Sequence, residues 1–432
     1  MLKVTGMPRS NRRRYALVGT GNRGTTMWGG ELLAGWSDEV DLAAIVDANP
    51  MRAERARAMM GADGADAPVT TDLDTMLAEE RPDLVIVCTP DDTHDDIIVR
   101  ALEAGSDVVT EKPMTTTVEK IRRILDAEKR TGHSVGVTFN YRFAPTAARI
   151  KSLLDAGAIG RVLSVDFHWY LDTKHGADYF RRWHAYERHS GSLFVHKATH
   201  HFDLLNWYLD SEPESVAAQA ALLHYGANGP FRGARCKTCA HTAECDYYLD
   251  LAADPFLDEL YEEPSEVDGY HRDGCVFRED IDIPDTMTAA IRYRNGVQVS
   301  YSLNTLMPIE GHHIAFNGTR GRIELRQFEK QPWDTPDSDE ILLVRSFPGP
   351  GEPAVERIAV PHAPGGHYGG DNLMRDMMFR PDTPDPLRQR AGARAGAVSV
   401  LCGIAALQSA RTGVAVRLDS LAPELFPAES TR

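Results

Sequence analysis

Six residues near the start narrow what this chain can become more than any other feature: Gly19-Thr20-Gly21-Asn22-Arg23-Gly24. They follow an apolar run, Tyr15–Val18, and precede a helical pattern over Thr25–Ala34. Between a strand and a helix such glycines permit a tight turn and close backbone approach. The helix N-terminus then offers free N–H groups and a positive dipole end to a pyrophosphate. Alone the pattern is weak. In this context it predicts dinucleotide binding by Gly19, Gly21, Asn22, Arg23 and Gly24. Asp47 follows the next strand-like run, Val40–Val46, where a carboxylate accepts hydrogen bonds from the adenosine ribose and repels a 2′-phosphate. NAD is therefore favoured, while Arg52 nearby keeps NADP open.

The first third goes on alternating strand-like and helical runs. A helix at Pro50–Met60 carries proline in its first turn, and strand Leu84–Cys88, helix Thr93–Ala104 and strand Val108–Thr110 follow. That spacing predicts a doubly wound α/β domain of the Rossmann kind over 15–140, with a parallel sheet and right-handed crossovers. After Tyr141 the grammar changes. Val162–Tyr170, Met287–Tyr293, Val297–Ser302 and His312–Phe316 contain period-two stretches, and Asn295-Gly296 signals a hairpin. Residues 141–387 are expected to form an α+β domain with a predominantly antiparallel sheet. Arg345–Pro364, rich in proline and glycine, reads as loop. The Ala-rich helix at Ala391–Arg411 is expected to pack back on the first domain as part of 388–432. Residues 1–14 read as a flexible arm.

Composition removes several function classes. With 63 acidic against 47 basic residues in 432, the net charge is −16, so the surface on balance repels nucleic acid. Apolar runs such as Leu84–Val87 are strand-sized, far below the ~20 residues of a membrane span. The arginines near the start lead into the glycine motif and not into a signal segment, so a cytoplasmic protein without a membrane partner is expected. Four of the six cysteines crowd together as Cys236-x2-Cys239-x5-Cys245-x29-Cys275, inside an insert of about 226–285 in which Tyr, Asp and Glu dominate between Tyr247 and Asp285. Such spacing can close a structural zinc site, and a segment that forms cores poorly would gain from one. An iron–sulfur cluster, or no metal, are the alternatives.

Glu111-Lys112-Pro113 follows the strand at Val108–Thr110, at the carboxyl edge where doubly wound sheets bind ligands. A lysine there can reach a substrate hydroxyl, and a neighbouring cationic nicotinamide would lower its pKa. Taken with the glycine motif and Cys88-Thr89-Pro90-Asp91-Asp92-Thr93-His94, the chain resembles the Gfo/Idh/MocA family of NAD(P)-dependent oxidoreductases acting on sugars and cyclitols. The resemblance continues through Asn140-Tyr141-Arg142-Phe143-Ala144-Pro145, Gly191–Asp203 and Gly369-Gly370-Asp371, and spares only the arm and the cysteine segment. It implies nucleotide contacts at the glycine turn, Asp47, Thr89, Pro90, His94, Glu111, Lys112 and Asn140. It also implies a catalytic lysine at Lys112 and a second-domain histidine at His200. One departure stands out: where the family usually has aspartate four residues before that histidine, this chain has His196, followed by Lys197.

On a helix over Val195–Leu209, Val195, Ala198, Phe202, Leu205 and Leu209 form an apolar stripe, while His196, His200, Asp203 and Trp207 share another face. That face, with Tyr141, Arg142 and Lys197, is expected to bind a sugar. Two histidines four apart plus Asp203 could also hold a metal, although hydride chemistry with Lys112 needs none. The resulting expectation is hydride transfer from a ring carbon of a sugar, glycoside or cyclitol to NAD, with Lys112, His200 and His196 catalytic. A homo-oligomer through the open sheet face is expected as well. Two alternatives remain. One is an NAD-dependent glycosidase working by transient ring oxidation, elimination, water addition and re-reduction, for which His196 supplies an extra acid–base group. The other is a non-catalytic NAD-binding sensor.

Overall fold

The computed structural model describes residues 12–380 and 382–426. Its first six strands are β1 (Arg13–Val18), β2 (Val40–Val46), β3 (Val69–Thr70), β4 (Leu84–Val87), β5 (Asp107–Thr110) and β6 (Val135–Val137). They form one parallel sheet in the order β3-β2-β1-β4-β5-β6. All four residues of β4 are buried, as a strand covered by helices on both faces requires. Most of the expected arm lies outside the described residues. Its last two members instead open β1, where Arg13 pairs with Asp107 at 2.7 Å and Arg14 with Glu80 at 2.9 Å.

The strand order reverses between β1 and β4, so a crevice opens at their carboxyl ends. Gly19 stands there with φ +96°, and a Cβ on it would lie 2.7 Å from the Cys88 carbonyl carbon. Only glycine allows the two loops this approach. The helix after the turn starts with a π-wound stretch, Gly24–Gly30, and continues to Trp36. Helix Pro50–Met59 is capped by Asn49, whose side chain accepts from the Arg52 N–H at 3.0 Å, and has proline in its first turn.

The second sheet comprises β7 (Val162–Asp172), β8 (Pro213–Ala221), β9 (Thr286–Tyr293), β10 (Gln298–Met307), β11 (Glu310–Gly318), β12 (Gly321–Lys330), β13 (Ser338–Arg345), β14 (Val355–Pro361) and β15 (Val416–Arg417). Their order is β14-β13-β12-β11-β7-β10-β9-β8-β15. Alternation orients them: Met287, Ala289, Ile291 and Tyr293 of β9 point into the core. Asn295-Gly296 makes the expected hairpin, and the pairings are antiparallel except for β7 with β10 at the centre. β14 corrects the loop reading of Arg345–Pro364. It is an edge strand whose residues are mostly half or fully exposed, so little apolar signal marked it, and its proline sits at the strand end.

Helix Ala393–Thr412 packs into the joint between the domains. Gly396 faces Val137 and Met114 of the first domain, and Gly403 faces the backbone of Phe194 in the second. By length and a mean hydropathy of 1.3 over its most apolar 18 residues it could cross a membrane, which corrects the expectation that all apolar runs are strand-sized, but 72% of that window is buried within the fold. A Cβ at position 403 would strike the Phe194 carbonyl. Gly403→Ala is therefore expected to cost about 1–3 kcal/mol and to disturb the helix Leu193–His196; thermal unfolding and turnover of the variant check this.

Candidate active site

The nucleotide side of the crevice is built around the glycine turn. Asp47 lies just past β2 and accepts from the backbone N–H and the hydroxyl of Thr20, both at 2.7 Å, and from the Asn49 N–H at 2.8 Å. One carboxylate thus ties the turn to the cap of the next helix. Arg23 reaches across the crevice: its Nε donates to Glu111 Oε1 at 2.9 Å, and its terminal nitrogens meet Asp371 at 3.2 and 3.1 Å. Trp28 Nε1 also donates to Glu111 Oε1, at 2.9 Å. Arg23 and Glu111 are thus occupied with one another and fix the walls of the crevice. His94, buried, sits between the loops after β4 and β5, its two ring nitrogens each 2.9 Å from a carbonyl, of Thr89 and of Pro113. Thr89 and Pro90 stay half-buried at the crevice.

These residues fit a dinucleotide. The turn tolerates no side chain at Gly19, and a Cβ at Gly24 would strike the Gly19 carbonyl, so at both positions the backbone is left bare. Asn140 donates to Asp371 at 2.6 Å while its Oδ1, buried, has no partner among the described residues.

Lys112 follows β5. Its ammonium donates to the His196 carbonyl at 3.0 Å, which links the two domains at the crevice mouth. Removal from water lowers its pKa to about 8 against the pull of Asp91 and Glu111, with Lys197 and Arg23 adding repulsion. His196 Nδ1 lies 2.6 Å from Asp91 Oδ2. Burial drives the His196 imidazole well below its usual value, with Lys112 reinforcing it, and raises the Asp91 carboxyl against the opposing charge of Lys112. His200 is likewise held far below its ordinary value by burial and by the charges of Lys112 and Lys197. Its Nδ1 finds no partner among the described residues.

Around His200, Tyr141 stands edge-on at 4.7 Å and Phe139 at 6.1 Å between ring centroids. The Lys197 ammonium sits 3.5 Å from the Tyr141 hydroxyl and 5.2 Å above Trp169. Lys112, His196, Lys197, His200 and Tyr141 are thereby gathered in one place. The remaining substrate candidates are not. Arg142 and Asp203 form a buried two-point ion pair at 2.7 and 2.5 Å, and Trp207 donates to the Leu387 carbonyl at 2.7 Å. The expected continuous face breaks at Lys197, between helices Leu193–His196 and Ala198–Leu209, and its lower half is sealed by protein partners. This corrects Arg142, Asp203 and Trp207 from substrate contacts to structural ones. It also removes the metal reading of His196, His200 and Asp203.

The zinc expectation gains no support. Cys236, Cys239, Cys245 and Cys275 do line one small cavity with Arg181, and all are free thiols. Yet among the described residues no group of three or more His, Cys, Asp or Glu side chains is arranged to hold a metal ion. Cys236 Sγ accepts from Arg181 at 3.3 Å, and Cys239 and Cys275 accept from the N–H groups of His241 and Phe277 at 3.4 Å each. Spacing brought the thiols together without fixing their directions.

Three further residues belong to the site. Asp91 fixes His196, while Asp371 receives Arg23, Asn140 and, at 3.0 Å, His367. Burial raises the Asp371 carboxyl, but His367 and Arg23 hold it far below the usual range. Tyr261 takes the Asn22 N–H at 2.7 Å from the insert. Asp91 and Asp371 stood in the quoted motifs without an assigned role, and no local signal marked Tyr261.

Two family models match, one described as "Oxidoreductase family, NAD-binding Rossmann fold" over residues 13–139 and one as "Oxidoreductase family, C-terminal alpha/beta domain" over residues 151–418. The putative oxidoreductase YteT of Bacillus subtilis is 38% identical over 90% of this chain and 94% of its own length. An inositol 2-dehydrogenase of Rhizobium meliloti is 33% identical over 49% of this chain and 59% of its own length. Among solved structures, levoglucosan dehydrogenase in complex with NADH and levoglucosan superposes with a TM-score of 0.67 at 20% identity, covering 94% of this chain and 99% of that one. The WlbA dehydrogenase of Bordetella pertussis, with NADH and UDP-GlcNAcA, gives 0.63 at 22%, covering 94% and 98%. Both domains and their order agree with these matches, and the chain belongs to the Gfo/Idh/MocA family of oxidoreductases.

Proposed function

We propose that this protein oxidises a ring hydroxyl of a sugar, glycoside or cyclitol with NAD. The carrying observation is Lys112, a lysine with a pKa of about 8 at the carboxyl edge of a dinucleotide-type sheet, facing two neutral histidines of the second domain. When bound, the dinucleotide supplies the hydride acceptor. Lys112 meets the substrate hydroxyl and takes its proton as the hydride departs, and His200, neutral and with a free Nδ1, relays that proton outward. His196, braced by Asp91, orients Lys112 through its carbonyl. Relatives named inositol 2-dehydrogenase and levoglucosan dehydrogenase support polyhydroxylated rings as the substrate class. Incubation with NAD and a panel of sugars, cyclitols and aryl glycosides tests the reading: reduced nicotinamide should accumulate. Aglycone release without net reduction would establish the glycosidase instead, and binding without either the sensor.

NAD is preferred to NADP in this proposal. The cation that could receive a 2′-phosphate, Arg52, already lies 2.7 Å from Asp268 and 3.7 Å from Asp47. Asp47→Ser is expected to reduce discrimination against NADP by about tenfold or more, from loss of one nearby negative charge. The ratio of NAD to NADP affinities in variant and wild type checks it. We also infer a homo-oligomer through the second sheet, supported by the exposed alternate residues Thr288, Ala290 and Arg292 of β9 and Gln298 and Ser300 of β10; sedimentation equilibrium reads this directly.

A further inference from the structure

The segment between β8 and β9 does more than carry cysteines. At its root it is held by the second domain: Arg181 donates to Cys236 Sγ and to the Gly274 carbonyl at 3.5 Å, and Arg272 meets Asp178 at 3.4 Å. Its far end lies on the first domain, around the nucleotide site. There the Tyr261 hydroxyl accepts the Asn22 N–H at 2.7 Å, and a Cβ at Gly21 would come within 3.4 Å of the same oxygen. Asn49 Nδ2 donates to the Pro264 carbonyl at 2.7 Å, Arg52 pairs with Asp268, and Arg55 pairs with Glu263 and, at 3.7 Å, with Glu259. The Arg52 guanidinium sits 5.6 Å from the Tyr261 ring and 5.7 Å from the Tyr270 ring. Leu260, Tyr261 and Ser265 are buried by this docking. Every one of these first-domain partners belongs to the glycine turn or to the helix that Asn49 caps beside Asp47.

We propose that this segment is a clasp that spans the two domains and closes over the adenosine and pyrophosphate portions of the dinucleotide, with Tyr261 as its latch. The inference rests on the NAD-binding reading given above. The backbone N–H of Asn22 is a donor that a glycine turn offers to pyrophosphate, and a phenol hydroxyl holds it. A phenol both accepts and donates. It can therefore hand the N–H to a phosphate oxygen and donate its own proton to that oxygen, after which the clasp slows the nucleotide's escape. Glu259, Glu263 and Asp268 of the clasp meet Arg55 and Arg52, so closure brings these carboxylates to cations already present and leaves the pyrophosphate the turn.

The test uses full-length protein stripped of nucleotide, with NADH fluorescence followed by stopped flow. Tyr261→Phe removes only the hydroxyl, and Glu259→Lys with Glu263→Lys sets like charges against Arg55. Both variants are expected to release NADH about three- to tenfold faster or more, the size of one or two lost hydrogen bonds or ion pairs. Their thermal unfolding should stay within a few degrees of wild type. Hydrogen exchange should show 255–270 protected on adding NADH in wild type and less so in the charge-reversed variant. If wild type binds NADH and both variants leave its release within twofold, the clasp is overturned while the NAD-binding reading stands. If wild type binds no dinucleotide, the NAD-binding reading itself falls.

Discussion

Lys112→Met is expected to abolish hydride transfer, by about 10²–10⁴-fold or to the detection limit, while leaving NAD affinity nearly unchanged. Methionine keeps the length and apolar stem of lysine but carries no proton-accepting nitrogen. The backbone contacts of the glycine turn do not depend on Lys112, so the nucleotide side should persist. The wild-type pH profile supplies a second readout. A lysine lowered from 10.5 to about 8 is mostly protonated at pH 6 and mostly neutral at pH 9. Hydroxyl oxidation should therefore climb toward tenfold per pH unit below the midpoint and level off above about 8. The rising limb should be absent from any residual activity of the methionine variant. Single-turnover traces with NAD titration decide the matter: full activity in Lys112→Met, or a loss that merely follows NAD affinity, rules the assignment out.

Asp203→Ala carries the largest expected effect on stability. Its carboxylate and the Arg142 guanidinium have side chains 1% and 7% exposed and meet through two hydrogen bonds. Truncating one partner leaves a cation in a poorly solvated place, at a cost of about 3–5 kcal/mol. Among the described residues, the Arg142 side chain then retains only a 3.4 Å contact to the Arg388 carbonyl and its position over the Phe139 ring. Chemical denaturation should register the loss, whereas the substrate KM of the folded fraction should stay close to wild type. A raised KM with unchanged stability would restore Asp203 to the substrate face.

The parts of this molecule legible in its sequence are those whose chemistry is local. The glycine turn, Asp47 and Lys112 each lie at the end of a strand that periodicity marked, and strand ends on a doubly wound sheet converge by geometry. His200 was marked by resemblance to the family. What stayed hidden depends on partners far along the chain. Arg142 stands 61 residues from Asp203 and turned a promising polar helix face into a sealed one. Tyr261 reaches Asn22 across 239 residues from a segment with no regular periodicity. For the thiols, spacing conveyed proximity and carried no information about sulfur orientation. β14 escaped because an edge strand needs few apolar residues.

The antiparallel ladder of β8 and β9 pairs Ala221 with Thr286, so the clasp starts and finishes at a single rung. A loop anchored this way is a modular graft. Its two ends are already neighbours, and the hairpin beneath it closes with or without the excursion. The helix bearing His200 lies upstream of β8, outside the graft, so the excursion and the catalytic helix are separate stretches of chain. Exchanging the excursion for a two-residue turn would test that separation in the laboratory.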